Sequence, residues 1–354
     1  MTQIEYVSRC SIVNNNFYSY DSLIYNNTEN KVTVTCPKHG NFQVRAEDHI
    51  QGHGCPACGN SLSNAENEIV EFIKGYIGSE KVIQRDRNVI KPLELDIYIP
   101  SLNAAIEYNG LLWHSKKYKS NNNYHLNKLN ACKNNGIKLL QIFEDEYANH
   151  KDIVLNKIKH ILKLEEQLPR IMGRKCIIKE IDKNMSKIFL TQYHIQGYSN
   201  STTYLGAFYG DKLIAVMTFK IETKDGLKWE LTRFASDYNY ICQGIGGKLF
   251  KYFITHYECS EIKSFADRRW TIDEENNIYL QLGFKFNYYT RPDYHYYSPK
   301  EGTNRIHKFR FRKNRLHEKY GLPLSMTESE MVNELGYYKV YDCGLIKYVW
   351  KKER

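Results

Sequence analysis

The sequence predicts a multidomain α+β protein, and three observations predict it. At 354 residues the chain is longer than one typical core supports. Its hydrophobic share of 42% is enough to bury real cores. Its patterning also changes along its length. Residues 1–60 are polar, aromatic and turn-rich. Residues 61–165 read helix, strand, strand, helix, strand, helix. Residues 166–300 alternate strands with helices, and a basic extension fills 301–354. Pro169 and Gly173 mark the connector between the second and third blocks. No internal repeat and no long low-complexity segment interrupts this order.

The formal net charge of +10 favours an anionic partner, nucleic acid first. The 29 tyrosines can stack on bases as well as fill cores. No apolar run reaches about 18 residues, so no membrane partner or span is expected. The start, "MTQIEYVSRCSIVNNNF", lacks a basic stretch followed by an apolar one, so no signal peptide is expected. Three of nine cysteines cluster early at metal-type spacings and the rest are scattered. That usage fits a reducing cytoplasm.

The first block carries Cys36-x-x-His39 and Cys55-x-x-Cys58. Two ligands separated by two residues form a tight knuckle, so both can face one ion. Two knuckles supply the four N/S ligands of a closed structural Zn²⁺ site. Gly40, Gly54 and Gly59 relax the turns beside them. His49 and His53 are spare candidates.

In the second block, "SNAENEIVEFIKGYI" opens on Ser63 or Asn64 as a cap, with Ile69, Phe72, Ile73 and Tyr76 on one face. Ser63 and Glu66 have capping-box spacing, so Glu66 serves either the helix or an active site. "LELDIYI" alternates, putting Asp96 opposite Leu95 and Ile97. Pro100 to Asn103 make a turn, and "AAIEYNG" places Glu107 and Asn109 on a common face. A hairpin would thus bring Asp96 and Glu107 together. Two adjacent carboxylates repel, and a hard cation such as Mg²⁺ removes that cost. Gly110 permits a bend that presents His114, which can take a proton from water at neutral pH. The next helix is expected to bury Leu126, Leu129 and Cys132, with His125 and Lys128 facing elsewhere, the site being one such direction. The acidic "EDEY" at 144–147 is expected to be a solvated strand end.

The first block, including "FYSYDSLIYNN" and "HIQGHGCPACG", resembles the zinc-ribbon module found beside phage and mobile-element nucleases. The run "ELDIYIP…AIEYNGLLWHS…YHLNK…GIKLLQIFEDEY", over about 100 residues, resembles the very-short-patch-repair (Vsr-like) fold of the PD-(D/E)xK superfamily. More closely it is similar to the EDxHD homing endonucleases of phages. The resemblance implies Asp96 as the central metal ligand, Glu107 as the second carboxylate and His114 as general base. His125 falls near a further acidic or histidine position. Asn109 stands where the superfamily often has lysine, a departure that favours a histidine-based mechanism.

In the third block, Gly210-Asp211 and Asp225-Gly226 read as strand turns. "QGIGGKLFKYFITHY" is a Gly-rich start to an amphipathic helix. The order and "YLQLGFKF" resemble the GNAT acyltransferase fold, an α/β domain in which such a Gly-rich turn cradles the CoA pyrophosphate. Here Lys248 replaces the last small residue, which argues against acyl-CoA. Lys248, Arg268 and Arg269 are instead candidate DNA contacts. "RIHKFRFRKNRL" alternates basic and apolar residues. On a strand it would aim Lys308, Arg310 and Arg312, with Arg305 and Lys313 beside them, at phosphates. "GYYKVYDCGLIKYVW" reads as a hairpin turning at Cys343-Gly344.

The expected function is therefore a site-specific, Mg²⁺-dependent endonuclease on double-stranded DNA, of the homing type, acting in the cytoplasm of a bacterial host if phage-encoded. The alternative is a GNAT-type acyltransferase that uses the nuclease-like block for targeting. One nuclease core cuts one strand per visit, so a double-strand break needs two visits or two copies.

Overall fold

The computed structural model describes residues 1–14, 17–37, 39–56, 64–116, 121–164, 168–302 and 304–352. Cys58, Gly59 and Ser63 lie outside them. The chain forms two compact units, Met1–Glu68 and Ile69–Arg354. The blocks expected at 61–165, 166–300 and 301–354 thus fall almost wholly within the second unit.

The first unit opens with α1 (Gln3–Val13), capped reciprocally by Thr2 and Glu5. Strands β1 (Lys31–Cys36) and β2 (Gly40–Arg45) pair antiparallel, and α2 (Ala46–Ile50) follows. Alternation turns Val32, Val34 and Cys36 inward. The core gathers Tyr6, Cys10, Leu23, Val32, Val34 and Ala46. Cys36 is thereby delivered to the end of the hairpin. Helix α3 (Asn64–Ile77) spans the boundary between the units; it buries Ile69 and Ile73 as expected and Val70 besides, while Phe72 and Tyr76 of the expected face are half-buried.

In the second unit, β3 (Ile83–Asp86), β4 (Leu95–Ile99) and β5 (Ala104–Asn109) form an antiparallel run. Asn103, in the left-handed region at φ 45°, closes the β4–β5 turn. Helix α4 (Tyr124–Asn134) then returns the chain so that β6 (Lys138–Phe143) lies parallel to β5. The sheet order is β3-β4-β5-β6. Helix α5 (Glu144–Leu162) follows directly. It begins at the "EDEY" segment, so that segment is a helix start and not a solvated strand end; Glu146 and Tyr147 are buried there.

The larger sheet uses β8 (Ile177–Glu180), β9 (Thr203–Tyr209), β10 (Lys212–Ile221) and β11 (Lys228–Ser236), with β7 (Arg170–Met172) before them and β12 (Ile241–Gln243) after. Helix α6 (Lys183–Tyr193) joins β8 to β9, and α7 (Ile245–His256) follows β12. Strands β13 (Glu261–Asp267) and β14 (Lys285–Tyr289), linked through the short α8 (Ile278–Gln281), come next. A smaller lobe holds β15 (Tyr294–Tyr297), β16 (Ile306–His307), α9 (Lys313–Tyr320), α10 (Glu328–Glu334) and β17 (Tyr338–Tyr341), before the last strand, β18 (Leu345–Lys351). The seven-stranded order is β14-β18-β13-β11-β10-β9-β8. Only β11 and β13 pair in parallel within it. Helix α7 packs Leu249, Phe250 and Phe253 on this sheet, with Phe253 stacked on Phe219 at 3.6 Å between ring centroids. The turns at Gly210 and Gly226 have positive φ, as expected from their sequence.

Two expectations about the C-terminal segment are corrected. Strands β17 and β18 are not a hairpin: β17 pairs with β15, whereas β18 pairs with β13 and β14. Gly344, at φ +76°, passes the chain from one sheet to the other. The basic strip is not one alternating strand either. It is a two-residue strand, a 3₁₀ turn over Lys308–Phe311 and then α9. Of its two phenylalanines only Phe311 joins the lobe's core, beside Leu316, and Phe309 is 52% exposed. Among the described residues, no helix is long and apolar enough to cross a membrane.

Candidate active site

The cysteine and histidine group takes shape first. Cys36 closes β1, His39 sits in the hairpin turn, and Cys55 follows α2. Nδ1 of His39 lies 3.7 Å from both Cys36 Sγ and Cys55 Sγ. The three ligand atoms lie within 4.8 Å of one another, and both cysteines are buried. Two sulfurs and one imidazole nitrogen fit a soft or borderline cation such as Zn²⁺. Cys58, the expected fourth ligand, lies outside the described residues. The spare candidate His49 is occupied otherwise. Its Nδ1 meets His53 O at 2.8 Å and its Nε2 meets Tyr20 OH at 3.2 Å.

The second group forms on one face of β4, β5 and β6. Pairing of Ile97 with Ile106 and of Tyr98 with Ala105 sets Asp96 beside Glu107, and parallel register sets Glu107 beside Gln141. Asp96 accepts from Tyr108 N at 3.0 Å, and its own N donates to Glu107 Oε1 at 3.1 Å. That face is covered and not open to solvent at Glu107, which is 1% exposed. Helix α4 packs on this part of the sheet, and Lys128 on that helix donates its ammonium to Glu107 Oε2. Lys128 is 4% exposed.

Electrostatics follow from that burial. Desolvation, then the neighbouring Asp96, pushes the Glu107 carboxyl up to about 8 although Lys128 pulls it down. Asp96 is raised by burial and opposed by Lys128. Burial lowers Lys128, but the two carboxylates outweigh it and hold the ammonium above its ordinary value. Two carboxylates against one ammonium thus leave a deficit of positive charge, which a proton or a divalent cation can fill. Lys128 offsets part of the repulsion between the two carboxylates.

Two histidines border this cluster. His114 sits in the turn after Gly110, its N donating to Gly110 O at 3.1 Å. Its ring stacks on that of His125 with centroids 5.1 Å apart and planes 22° apart. Tyr124 meets both edge-on. His125 is 2% exposed, and burial pushes its imidazole down to about 3. It is therefore neutral at ordinary pH. Asn109, 1% exposed, lies in register with Phe143, and its Nδ2 has no hydrogen-bond partner among the described residues. Glu66 stands in the first turn of α3, within the first compact unit, whereas Asp96, Glu107, His114 and His125 belong to the second.

Several residues expected on DNA are committed inside the fold. Arg269, 4% exposed, bonds Glu146 at 2.8 and 2.9 Å and also Asp267. Arg305 bonds Asp145 at 2.9 Å and Glu146 at 3.0 Å. Both guanidiniums lie over the Phe143 ring. Burial alone would raise the Glu146 carboxyl, but Arg269 and Arg305 hold it down at about 2. Arg268, 8% exposed, covers Tyr289 at 4.5 Å. Lys308 pairs with Asp293, and Lys248 donates to Cys176 O. Arg310 and Arg312 are exposed and Lys313 half-buried, at the entry to α9.

Sequence reasoning offered the site as one direction for Lys128 but missed its burial against Glu107, and missed Gln141 altogether. The signal was present: His125, Lys128, Leu129 and Cys132 follow i, i+3, i+4, i+7 spacing, and that stripe is the buried face of α4. The expected face with Leu126 is rotated accordingly, leaving Leu126 half-buried.

A family model described as a protein of unknown function, DUF723, matches residues 1–59. No curated protein matches the chain. Among solved structures, a Bacillus subtilis acetyltransferase in complex with CoA is 11% identical, covering 51% of this chain and 100% of its own, with a TM-score of 0.31. A GNAT family acetyltransferase from Elizabethkingia anophelis with acetyl-CoA bound is 15% identical, covering 50% of this chain and 99% of its own, with a TM-score of 0.28. Likenesses at these scores carry no functional argument.

Proposed function

We propose that the chain is a divalent-metal-dependent DNA endonuclease, with double-stranded DNA as its partner and homing as its wider role. One observation supports this above the rest: the half-buried Asp96 meets the buried Glu107 and Lys128 at a site bordered by the stacked His114 and His125. Burying an ion pair beside a third ionisable group is costly and adds little to stability relative to apolar packing. Such a cluster is commonly kept for chemistry. Asp96 and Glu107 would hold Mg²⁺, which supplies Lewis-acid polarisation of a phosphate oxygen when bound. The residual negative charge of the pair favours that cation. Lys128 holds Glu107 in place by its ammonium. His114, at the site's edge, is the group to take a proton from the attacking water. The zinc group at Cys36, His39 and Cys55, with Cys58, is proposed as a structural clamp in the first unit.

The test is cleavage of duplex DNA with and without Mg²⁺ by wild type, Asp96→Ala and His114→Ala. Metal-dependent cutting by wild type, lost in both variants, is the expected result. Cutting that survives Asp96→Ala removes the site assignment. Calorimetry with acetyl-CoA tests the acyl-transfer alternative. Its place would be the cleft of about 540 Å³ beside Gly244, lined by Arg174, Lys248 and Lys251.

A further inference from the structure

We propose that Gln141 is a positioning residue that, braced by Cys343, holds His125 in a single tautomer, with its proton on Nδ1 and a lone pair on Nε2. The geometry rests on three contacts. His125 Nδ1 lies 3.0 Å from Gln141 Oε1. Gln141 Nε2 donates to the His125 backbone O at 2.9 Å and to Cys343 Sγ at 3.3 Å. Gln141 is 0% exposed, so no water competes for its amide.

The orientation of the amide follows from chemistry. A backbone carbonyl only accepts, so the NH₂ end of Gln141 must face His125 O. That leaves Oε1 toward the imidazole. Oε1 also only accepts, so Nδ1 must carry the hydrogen. A neutral imidazole has one N–H, and Nε2 is then a bare acceptor. Its surroundings agree: Nε2 is buried and has no hydrogen-bond partner among the described residues. Burial keeps the ring neutral, so Nε2 stays unprotonated at ordinary pH. Fixing one ring nitrogen by an acceptor so that the other offers its lone pair is how proteins prepare an imidazole for an electron-poor partner. What that partner is, a divalent cation or the O–H of water, rests on the nuclease reading; the tautomer does not.

Cys343 gives the arrangement its reach. It lies in the turn between β17 and β18, is 0% exposed, and joins the apolar cluster of Leu95, Ala105, Leu129 and Cys132. The connection leaving the smaller lobe thus meets the four-stranded sheet behind His125.

Two measurements test this. In protein carrying ¹⁵N-labelled histidine, two-bond ¹H–¹⁵N correlation spectra report which ring nitrogen is protonated, and His125 is identified by its loss in His125→Gln. Wild type should show the proton on Nδ1, Gln141→Leu should lose that preference, and Gln141→Glu, which keeps an acceptor, should retain it. Wild type with the proton on Nε2, or Gln141→Leu with an unchanged tautomer, overturns the proposal. The wild-type spectrum decides alone if Gln141→Leu fails to fold. In the cleavage assay Gln141→Leu should lose roughly 10–100-fold, the usual scale for such supporting groups, with Gln141→Glu largely restored. Wild type that cuts no DNA removes the nuclease reading while the tautomer result still stands or falls by the spectra.

Discussion

Lys128→Met is the sharpest single perturbation of the buried cluster. The Lys128 and Glu107 side chains are 5% and 2% exposed, so neither water nor salt screens them. Removing one partner of such a pair costs about 3–5 kcal/mol when the remaining group stays charged. Glu107 has an escape, because its carboxyl is pushed from 4.5 to about 8 in the fold. A folded-state value above the unfolded one gives a contribution that is fully present below about 4.5 and is lost as pH rises through about 8. That span corresponds to roughly 5 kcal/mol at most. Removing Lys128 raises the carboxyl further and extends the loss to higher pH. At pH 6 the variant therefore keeps Glu107 protonated and forfeits mainly a charge-assisted hydrogen bond, about 1.5–3 kcal/mol. At pH 9 it should lose the full ~3–5 kcal/mol. Urea unfolding of wild type, Lys128→Met, Glu107→Gln and the double variant at both pH values measures the coupling. The double variant should recover most of the loss at pH 9. Equal destabilisation at pH 6 and pH 9, or a double variant no more stable than Lys128→Met at pH 9, would refute the reasoning.

Three further outcomes are expected. Glu146, held at about 2 against an ordinary 4.5, contributes stability that is present above pH 4.5 and lost as pH falls toward 2; this amounts to roughly 3 kcal/mol. Arg269→Met should cost about 3–5 kcal/mol at pH 7 and flatten that acid slope, read from urea melts at pH 3 and pH 7. Cys36→Ser should abolish tight binding of one zinc ion per chain, measured by metal analysis after dialysis, while His49→Ala should leave zinc bound. At Gly344 a Cβ would stand 2.5 Å from Thr290 O at a φ of +76°. Gly344→Ala should therefore lower thermal stability by about 1–3 kcal/mol, seen as a drop in the melting midpoint.

The hairpin around Asp96 and Glu107 was legible because strand alternation and turn chemistry are local signals. The same holds for the turns at Gly210 and Gly226 and for the apolar face of Ile69 and Ile73. What lay over that hairpin was not legible in the same way. The stripe carrying Lys128 mixes a cation with Leu129 and Cys132, and a charged residue at helical spacing ordinarily marks the solvated side. The basic residues failed for a different reason. Arg269 and Arg305 find Glu146 across 123 and 159 positions of sequence. No spacing rule connects such partners, so buried cations look the same as free ones. The alternation in "RIHKFRFRKNRL" fits a 3₁₀ turn feeding a helix as well as a strand, and only the packing of Phe311 against Tyr296 and Tyr337 decides between them.

Strand β18 lies between β13 and β14 in the sheet, and Cys343, just before it, bonds to Gln141 from 202 residues away. During synthesis the large sheet keeps a gap until that strand has left the ribosome. Gln141 lacks its Cys343 contact for the same interval, although its two contacts to His125 span only 16 residues. A chain ending before residue 343 would carry Asp96, Glu107, His114 and His125 without the Cys343 brace on Gln141, so under the proposed function that site is completed only by the last strand connection.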